Sequence, residues 1–451
     1  MTTPPTPRSA ILYERALRVL PGGASRNTIL RHPHPPYADR GEGCWVVDVD
    51  GVRRLDFSNN MASLIHGYAH PRIVEAVTAQ LGRGTAFMMA TEAEVAYAEL
   101  MCARSTAFEK IRFVNSGTEA VMACLKAARA RTGRPKIAKA EGAYHGPYDY
   151  AEVSQTADPS TWGDVAAPSS VPVAKGTPRS ALDDVVVFPF NDTERALALL
   201  DAHAAEIACV LVDPMPHRVG LVPAGREFIA ALHAWTRRHG ALLVFDEVIT
   251  FRSEHGGCQE WYEQRPDLTA LGKIIGGGFP VGAITGRADV MDVLDPLAAT
   301  TPFPLSGTFS ANPVTMVAGR TAMELFDRAE VRRLNALGDR ARAQIAEAIR
   351  TADVPFSVTG AGSIFRIHVR PRPPADYREC YVGPAGQRVI RALLDRCFDN
   401  GLMLINTFSG TLSTPMTAAE IDRLSEVLLE AFREYREMAL ALHTGEGAAG
   451  R

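Results

Sequence analysis

Lys273 stands in Leu271-Gly-Lys-Ile-Ile-Gly-Gly-Gly278, just past an apolar run, and Asp246 closes the strand-like segment Ala241-Leu-Leu-Val-Phe-Asp246. An amine becomes a nucleophile near neutral pH when it is desolvated, and a protonated pyridine nitrogen stays an electron sink when a fixed anion faces it. An amine and a carboxylate delivered to one sheet edge therefore suit a Schiff-base lysine and the partner of a pyridinium nitrogen. That pairing points to pyridoxal 5′-phosphate. Taken singly, each has a plainer reading, a solvated loop lysine and a strand-end cap.

Ser116-Gly117-Thr118-Glu119-Ala120 lies between a strand and a helical run. Backbone N–H groups and hydroxyls at a helix start form a phosphate cup, although N-capping alone also favours these residue types. No lysine follows at P-loop spacing, which argues against a nucleoside triphosphate, and Gly276-Gly-Gly-Phe-Pro-Val-Gly282 lacks the spacing of a dinucleotide fingerprint. The small residues around Lys273 suit a side chain that must move. Tyr144 could stack on a flat heterocycle or pack in the core. His66 and His70 have an i, i+4 spacing, but the intervening Gly67 and the following Pro71 disfavour a helix, so a metal pair is the weaker reading.

These groups need a scaffold. Short apolar segments alternating with longer helical ones predict a mostly parallel α/β sheet, with strands at Ile111–Val114, Lys136–Lys139, Val185–Phe188, Ala208–Val212, Ala241–Phe245 and Val281–Thr285. Polar or small residues follow most of them: Asn115 to Thr118, Tyr144-His145-Gly146, Asn191-Asp192, Asp213-Pro214 and Asp246-Glu247. In open α/β sheets ligands collect beyond the carboxyl ends of strands, so these groups are expected to converge on one crevice. An amphipathic helix over 9–20 and a hairpin from Cys44 to Phe57, turning at Asp50-Gly51, precede that region. Residues 151–184 form a long irregular excursion, a loop over the site or at a subunit contact. A helix over 315–350, strands near 357, 363–369 and 402–404, and a helix over 418–442 follow. The expected division is 1–69 as an N-terminal arm, 70–325 as the large domain and 326–451 as the C-terminal small domain.

The 451 residues are 46% apolar and 22% charged with net charge −3, ordinary for a soluble protein and without the basic stripe of a nucleic-acid or membrane binder. Seven dispersed cysteines, none in a C-x-x-C pair, favour a reducing cytoplasm and no structural metal. The proline-rich start lacks a signal-peptide core, and no apolar run has the ~20 residues of a membrane span.

Asn115-Ser-Gly-Thr-Glu-Ala, Gly142-Ala-Tyr-His-Gly, Phe245-Asp-Glu-Val-Ile-Thr, Leu271-Gly-Lys-Ile-Ile-Gly-Gly-Gly-Phe-Pro-Val-Gly and Ser306-Gly-Thr-Phe-Ser-Ala-Asn-Pro, in this order, resemble the class III pyridoxal-phosphate aminotransferases over about residues 10–440. The resemblance is strongest to the glutamate-1-semialdehyde aminomutase and β-amino-acid aminotransferase branch. It implies a fold-type I transferase: a large, mostly parallel seven-stranded-type α/β/α domain with a small α/β domain, paired as a homodimer with active sites at the interface. It further implies that Lys273 forms the internal aldimine, Asp246 pairs with the pyridine nitrogen and Val248 packs beneath the ring. Ser116, Gly117 and Thr118 would hold the phosphate, Tyr144 would cover the ring with His145 beside it, and Thr308 would reach the phosphate of the neighbouring subunit's cofactor.

The chain departs from the aminomutase pattern where Phe251-Arg252 directly follows Thr250, at Asp213-Pro214 in place of Glu-Pro, and at Phe408 where an acid is usual. Arg26, in Pro21-Gly-Gly-Ala-Ser-Arg, occupies the position at which the β-amino-acid enzymes hold a substrate carboxylate, whereas their second arginine falls on Thr407. The implied activity is transfer of an amino group between a small-molecule donor, with a β-amino acid as candidate, and a carbonyl acceptor. The alternatives are an intramolecular aminomutase and, more remotely, a non-catalytic binding protein on the same fold.

Overall fold

The computed structural model describes residues 6–443; the first residues of the proline-rich start lie outside them. After the helix Arg8–Leu17 come strands β1 (Ala38–Glu42), β2 (Trp45–Asp48) and β3 (Arg53–Asp56). The hairpin turns as expected at Asp50-Gly51, where Gly51 takes φ +84° and the Asp48 carboxylate accepts the N–H groups of Asp50 and Val52.

Seven strands build the central sheet: β4 (Lys110–Val114), β5 (Lys136–Ala140), β6 (Val185–Phe188), β7 (Ile207–Val212), β8 (Leu242–Asp246), β9 (Leu268–Gly272) and β10 (Gly282–Gly286). Their order is β4-β10-β9-β8-β7-β5-β6, and β10 runs antiparallel to both of its neighbours while the other pairs are parallel. The sheet is covered on both faces, which is why its strands are near-continuous apolar runs. Alternate residues of β8 show this. Leu242 and Val244 pack with Ala120, Cys124 and Ala127 of the helix Gly117–Thr132, while Leu243 and Phe245 pack with Phe228, Leu232 and Trp235 of the helix Arg226–His239.

All six predicted strands are present, and β9 is a seventh. Its sequence, Leu-Thr-Ala-Leu-Gly, has little β-branched character, and pairing on both sides by β8 and β10 makes it a strand. The helix expected over 315–350 is two helices, Pro313–Leu325 and Arg328–Ala352, because Asp327 accepts the N–H of Glu330 at 2.8 Å and starts a new one. The terminal helix likewise ends at Glu434, before a short helix Arg436–Ala441.

Strands β11 (Ser357–Thr359), β12 (Ile364–His368) and β14 (Ser409–Thr411) form a second sheet, while β13 (Leu402–Met403) pairs in parallel with β3 and so joins the two ends of the chain. The 151–184 excursion is irregular between the short helices Asp149–Glu152 and Arg179–Asp183, yet it is pinned. Arg378 donates to the carbonyls of Trp162, Gly163 and Asp164, and Ser154 bonds Ser169 and Val171.

Candidate active site

A cavity of about 400 Å³ opens beyond the carboxyl ends of the central strands. Asn115 to Thr118 follow β4, Tyr144 to Gly146 follow β5, Asp213 follows β7, Asp246 ends β8 and Lys273 follows β9; all of them line it. Five strand ends thus converge as the alternation of elements requires. Asn191 and Asp192 do not join them. Asn191 bonds the Pro223 carbonyl and the Gly225 N–H, and Asp192 caps the helix Thr193–Asp201.

Lys273 takes φ +51°, an uncommon left-handed conformation for a side-chain-bearing residue and one that concentrates at functional sites. Burial lowers its ammonium pKa, opposed by the nearby Asp246 and Asp213 charges. Of the glycines after it, Gly276 and Gly277 serve close packing rather than side-chain motion. A Cβ would come within 2.7 Å of Val281 Cγ1 at Gly276 and 2.4 Å of the Ala318 carbonyl oxygen at Gly277.

Asp246 is held at both oxygens. Val248 N–H donates to Oδ1 at 3.0 Å, and His145 Nδ1 lies 2.7 Å from Oδ2. A carboxylate only accepts, so His145 carries its proton on Nδ1. Burial lowers the imidazole's pKa against the pull of Asp246, which leaves a neutral donor beside a charged acceptor.

Ser116 caps the helix Gly117–Thr132, its Oγ accepting the Glu119 N–H at 3.1 Å, while Glu119 reaches back to the Asn115 N–H at 2.8 Å. The simple N-cap reading is therefore correct for Ser116 Oγ. It coexists with the cup, since the first-turn N–H groups of a helix have no intrahelical acceptor and Gly117 and Thr118 line the cavity. Gly117 is required sterically: a Cβ there would stand 2.7 Å from Val248 Cγ1. Gly146, at φ +89°, likewise packs on Thr118, which joins the Tyr144 turn to the cup. Tyr144 is 45% exposed and lines the cavity, so core packing does not describe it.

Asp213, which sequence reasoning placed in the crevice without a role, lines the cavity together with Asn60 and Ser63, which it did not place. Asp213 follows β7, and burial together with repulsion from Asp246 raises its carboxyl pKa well above the usual range. Its place after an apolar strand was a usable signal. Asn60 and Ser63 come from a turn in which Asn59, Asn60, Met61 and Ala62 all have positive φ, and no local pattern announces it. Arg26 reaches this wall, with Nη1 2.6 Å from Asn60 Oδ1.

Other positions fall elsewhere. Thr308 is exposed and lines a separate small cavity with Phe87, Glu94 and Pro313, away from Lys273 of its own chain. Phe408 is fully buried against Phe432, and Thr407 Oγ1 lies 3.0 Å from His217 Nε2. Arg252 is wholly buried and bonds Ser363 Oγ and the Leu412 carbonyl, so the departure after Thr250 ties the segment that follows β8 to the C-terminal part of the chain. His66 spends its ring nitrogens on Thr414 Oγ1 and the Ala322 carbonyl.

The family model for aminotransferase class-III matches residues 30–431. The chain belongs to the class III aminotransferases. This class III enzyme is 39% identical over 362 residues to a protein named glutamate-1-semialdehyde 2,1-aminomutase from Methanothermobacter thermautotrophicus, covering 80% of this chain and 83% of that one. It is similar to an omega-transaminase from Sphaerobacter thermophilus (48% identical, TM-score 0.93, covering 96% and 99% of the two chains) and to a beta-phenylalanine aminotransferase from Variovorax paradoxus (33%, 0.85, 95% and 94%). Its fold is fold-type I and its cofactor is pyridoxal 5′-phosphate. The residues present fit that cofactor. They offer a buried amine, a doubly held carboxylate, a helix N-terminus and an aromatic face around one cavity.

Proposed function

We propose that the enzyme is an aminotransferase that moves an amino group from a carboxylate-bearing donor, with β-amino acids as the best candidates, to a carbonyl acceptor. The observation that carries this reading is Arg26, whose guanidinium stands 2.6 Å from Asn60 on the cavity wall and presents a planar fork suited to a carboxylate. The two transaminases named above support it.

When bound, pyridoxal 5′-phosphate supplies the electron sink and the carbonyl that carries the amino group between half-reactions. Ser116, Gly117 and Thr118 would hold its phosphate through hydroxyls and first-turn N–H groups. Tyr144 and Val248 would bound its ring, and Asp246, aimed by His145 and Val248 N–H, would keep the ring nitrogen protonated. Lys273 Nζ, its charge weakened by burial, would hold the cofactor and then move the proton at the donor's reacting carbon. Thr308, exposed and apart from its own chain's site, suits contact with a second subunit's cofactor in a homodimer. The seven cysteines are all free, in keeping with a reducing cytoplasm.

An intramolecular aminomutase is the second reading, favoured by the name of the methanogen relative. A half-reaction screen separates the two. Candidate amines are added to holoenzyme and cofactor absorbance is followed. Conversion by β-amino acids, with an acceptor then restoring the spectrum, supports transfer. Activity on a single amino aldehyde without any acceptor would support the mutase.

A further inference from the structure

Tyr144 lines the cavity while half-exposed, so its place is set by the backbone turn that carries it rather than by packing around its ring. That turn is gripped from far along the chain. Glu141, three residues before Tyr144, is buried, and its carboxylate receives the Arg378 guanidinium in two bonds, from Nε to Oε2 at 2.8 Å and from Nη2 to Oε1 at 3.1 Å. A paired fork of this kind fixes direction as well as distance.

The residue before Arg378 holds the next position of the turn. Gly142 has φ +75°, and a Cβ there would stand 1.9 Å from Tyr377 Cδ2, so the tyrosine ring lies directly on the turn's backbone. Tyr377 and Arg378 open the short helix Tyr377–Cys380 in the C-terminal part of the chain. The same two side chains also hold the 151–184 excursion. Tyr377 Oη donates to the Ala157 carbonyl at 2.7 Å, and the Arg378 bonds to the carbonyls of Trp162, Gly163 and Asp164 span 2.8 to 3.0 Å. One helical turn thus fastens the Tyr144 turn and the excursion together, although Glu141, Tyr377 and Arg378 stand outside the cavity lining.

We infer that Arg378 is a positioning residue: through Glu141 it sets the turn that places Tyr144 against the cofactor ring. The inference rests on the proposed contact of Tyr144 with that ring and is independent of which donor or acceptor the enzyme takes. Lysine in place of Arg378 keeps the charge but not the planar fork, and glutamine in place of Glu141 keeps the shape but not the charge.

The test titrates the full chain, stripped of cofactor, with pyridoxal 5′-phosphate and follows absorbance and visible circular dichroism. Tyr144→Ala should raise the Kd about tenfold, the upper end for an aromatic contact. Arg378→Lys and Glu141→Gln should each raise it by about threefold to fivefold, less than the loss of the ring they place, and should weaken the circular dichroism of the bound cofactor. The variant carrying both changes should bind no worse than the poorer single one, because the two residues act as one pair. The deciding comparison is made in the Tyr144→Ala background. There Arg378→Lys should leave the Kd within about twofold while still lowering the melting temperature, since its effect on binding runs through the absent ring and its effect on folding does not. An equal rise in Kd with and without Tyr144, or an unchanged Kd and dichroism in Arg378→Lys alone, would overturn the assignment. Wild-type binding by Tyr144→Ala would remove the ring contact itself, and the role of Arg378 with it. Should Arg378→Lys not fold, Glu141→Gln is carried through the same two backgrounds and decides by the same ratio.

Discussion

His145 Nδ1 approaches Asp246 Oδ2 to 2.7 Å with both side chains buried, so the carboxylate beneath the cavity is aimed by a neutral imidazole rather than neutralised by a cation. In the proposed function this carboxylate faces the ring nitrogen of the cofactor. Asp246→Asn should bind cofactor yet transaminate at least ~100-fold more slowly, as expected for loss of an electrostatic stabiliser. His145→Ala should cost about 1.5 kcal/mol, roughly tenfold in the half-reaction rate. Single-turnover absorbance measures both. A larger loss for His145→Ala than for Asp246→Asn would reverse their roles.

Lys273→Ala should fold normally, since its side chain faces the cavity rather than the apolar core. It should lose nearly all turnover and the borohydride-stable bond between protein and cofactor. Mass spectrometry of the reduced protein checks this. A retained covalent bond would place the reactive amine elsewhere.

Arg26→Ala should remove the preference for carboxylated donors over matching simple amines by about 2 kcal/mol, the scale of a charged hydrogen bond. The comparison is made in the half-reaction, where no acceptor intervenes. Equal rates for both donor types in wild-type enzyme would exclude the clamp.

Lys139 supplies a pH-dependent prediction. Its side chain is fully buried and bonds the Ala143 and Val153 carbonyls at 3.0 and 2.7 Å, holding the turn that carries Tyr144. Burial lowers its pKa from 10.5 to about 7. Above that value the neutral amine still has N–H groups for both carbonyls. Between about 7 and 10.5 the unfolded chain binds more protons than the folded one, so this group makes stability rise with pH across that window. Lys139→Met should flatten that slope in thermal melts and cost about 2 kcal/mol near the top of the window, because two buried carbonyls lose their donors. An unchanged slope would mean that Lys139 is charged in the folded protein.

What the sequence by itself determined is local. Apolar runs followed by polar residues marked six strands and their carboxyl ends, and with them Asp246, Tyr144 and the Ser116-Gly117-Thr118 helix start, while Lys273 was marked by its glycine-rich setting just past a further apolar run, because hydrophobic period and capping chemistry act within a few residues. Tertiary structure decided the rest. The strand order, not the chain order, sets which ends meet, so β9 became a strand only between β8 and β10, and Asn191-Asp192 at the end of edge strand β6 stayed outside the cavity. The left-handed turn that brings Asn60 to the site is held by contacts far along the chain, with Asn59 Nδ2 donating to the Thr411 carbonyl at 2.7 Å. His217, Thr407 and Ser409 meet in the same way across 190 residues or more, and approaches of that kind depend on packing that no local window contains.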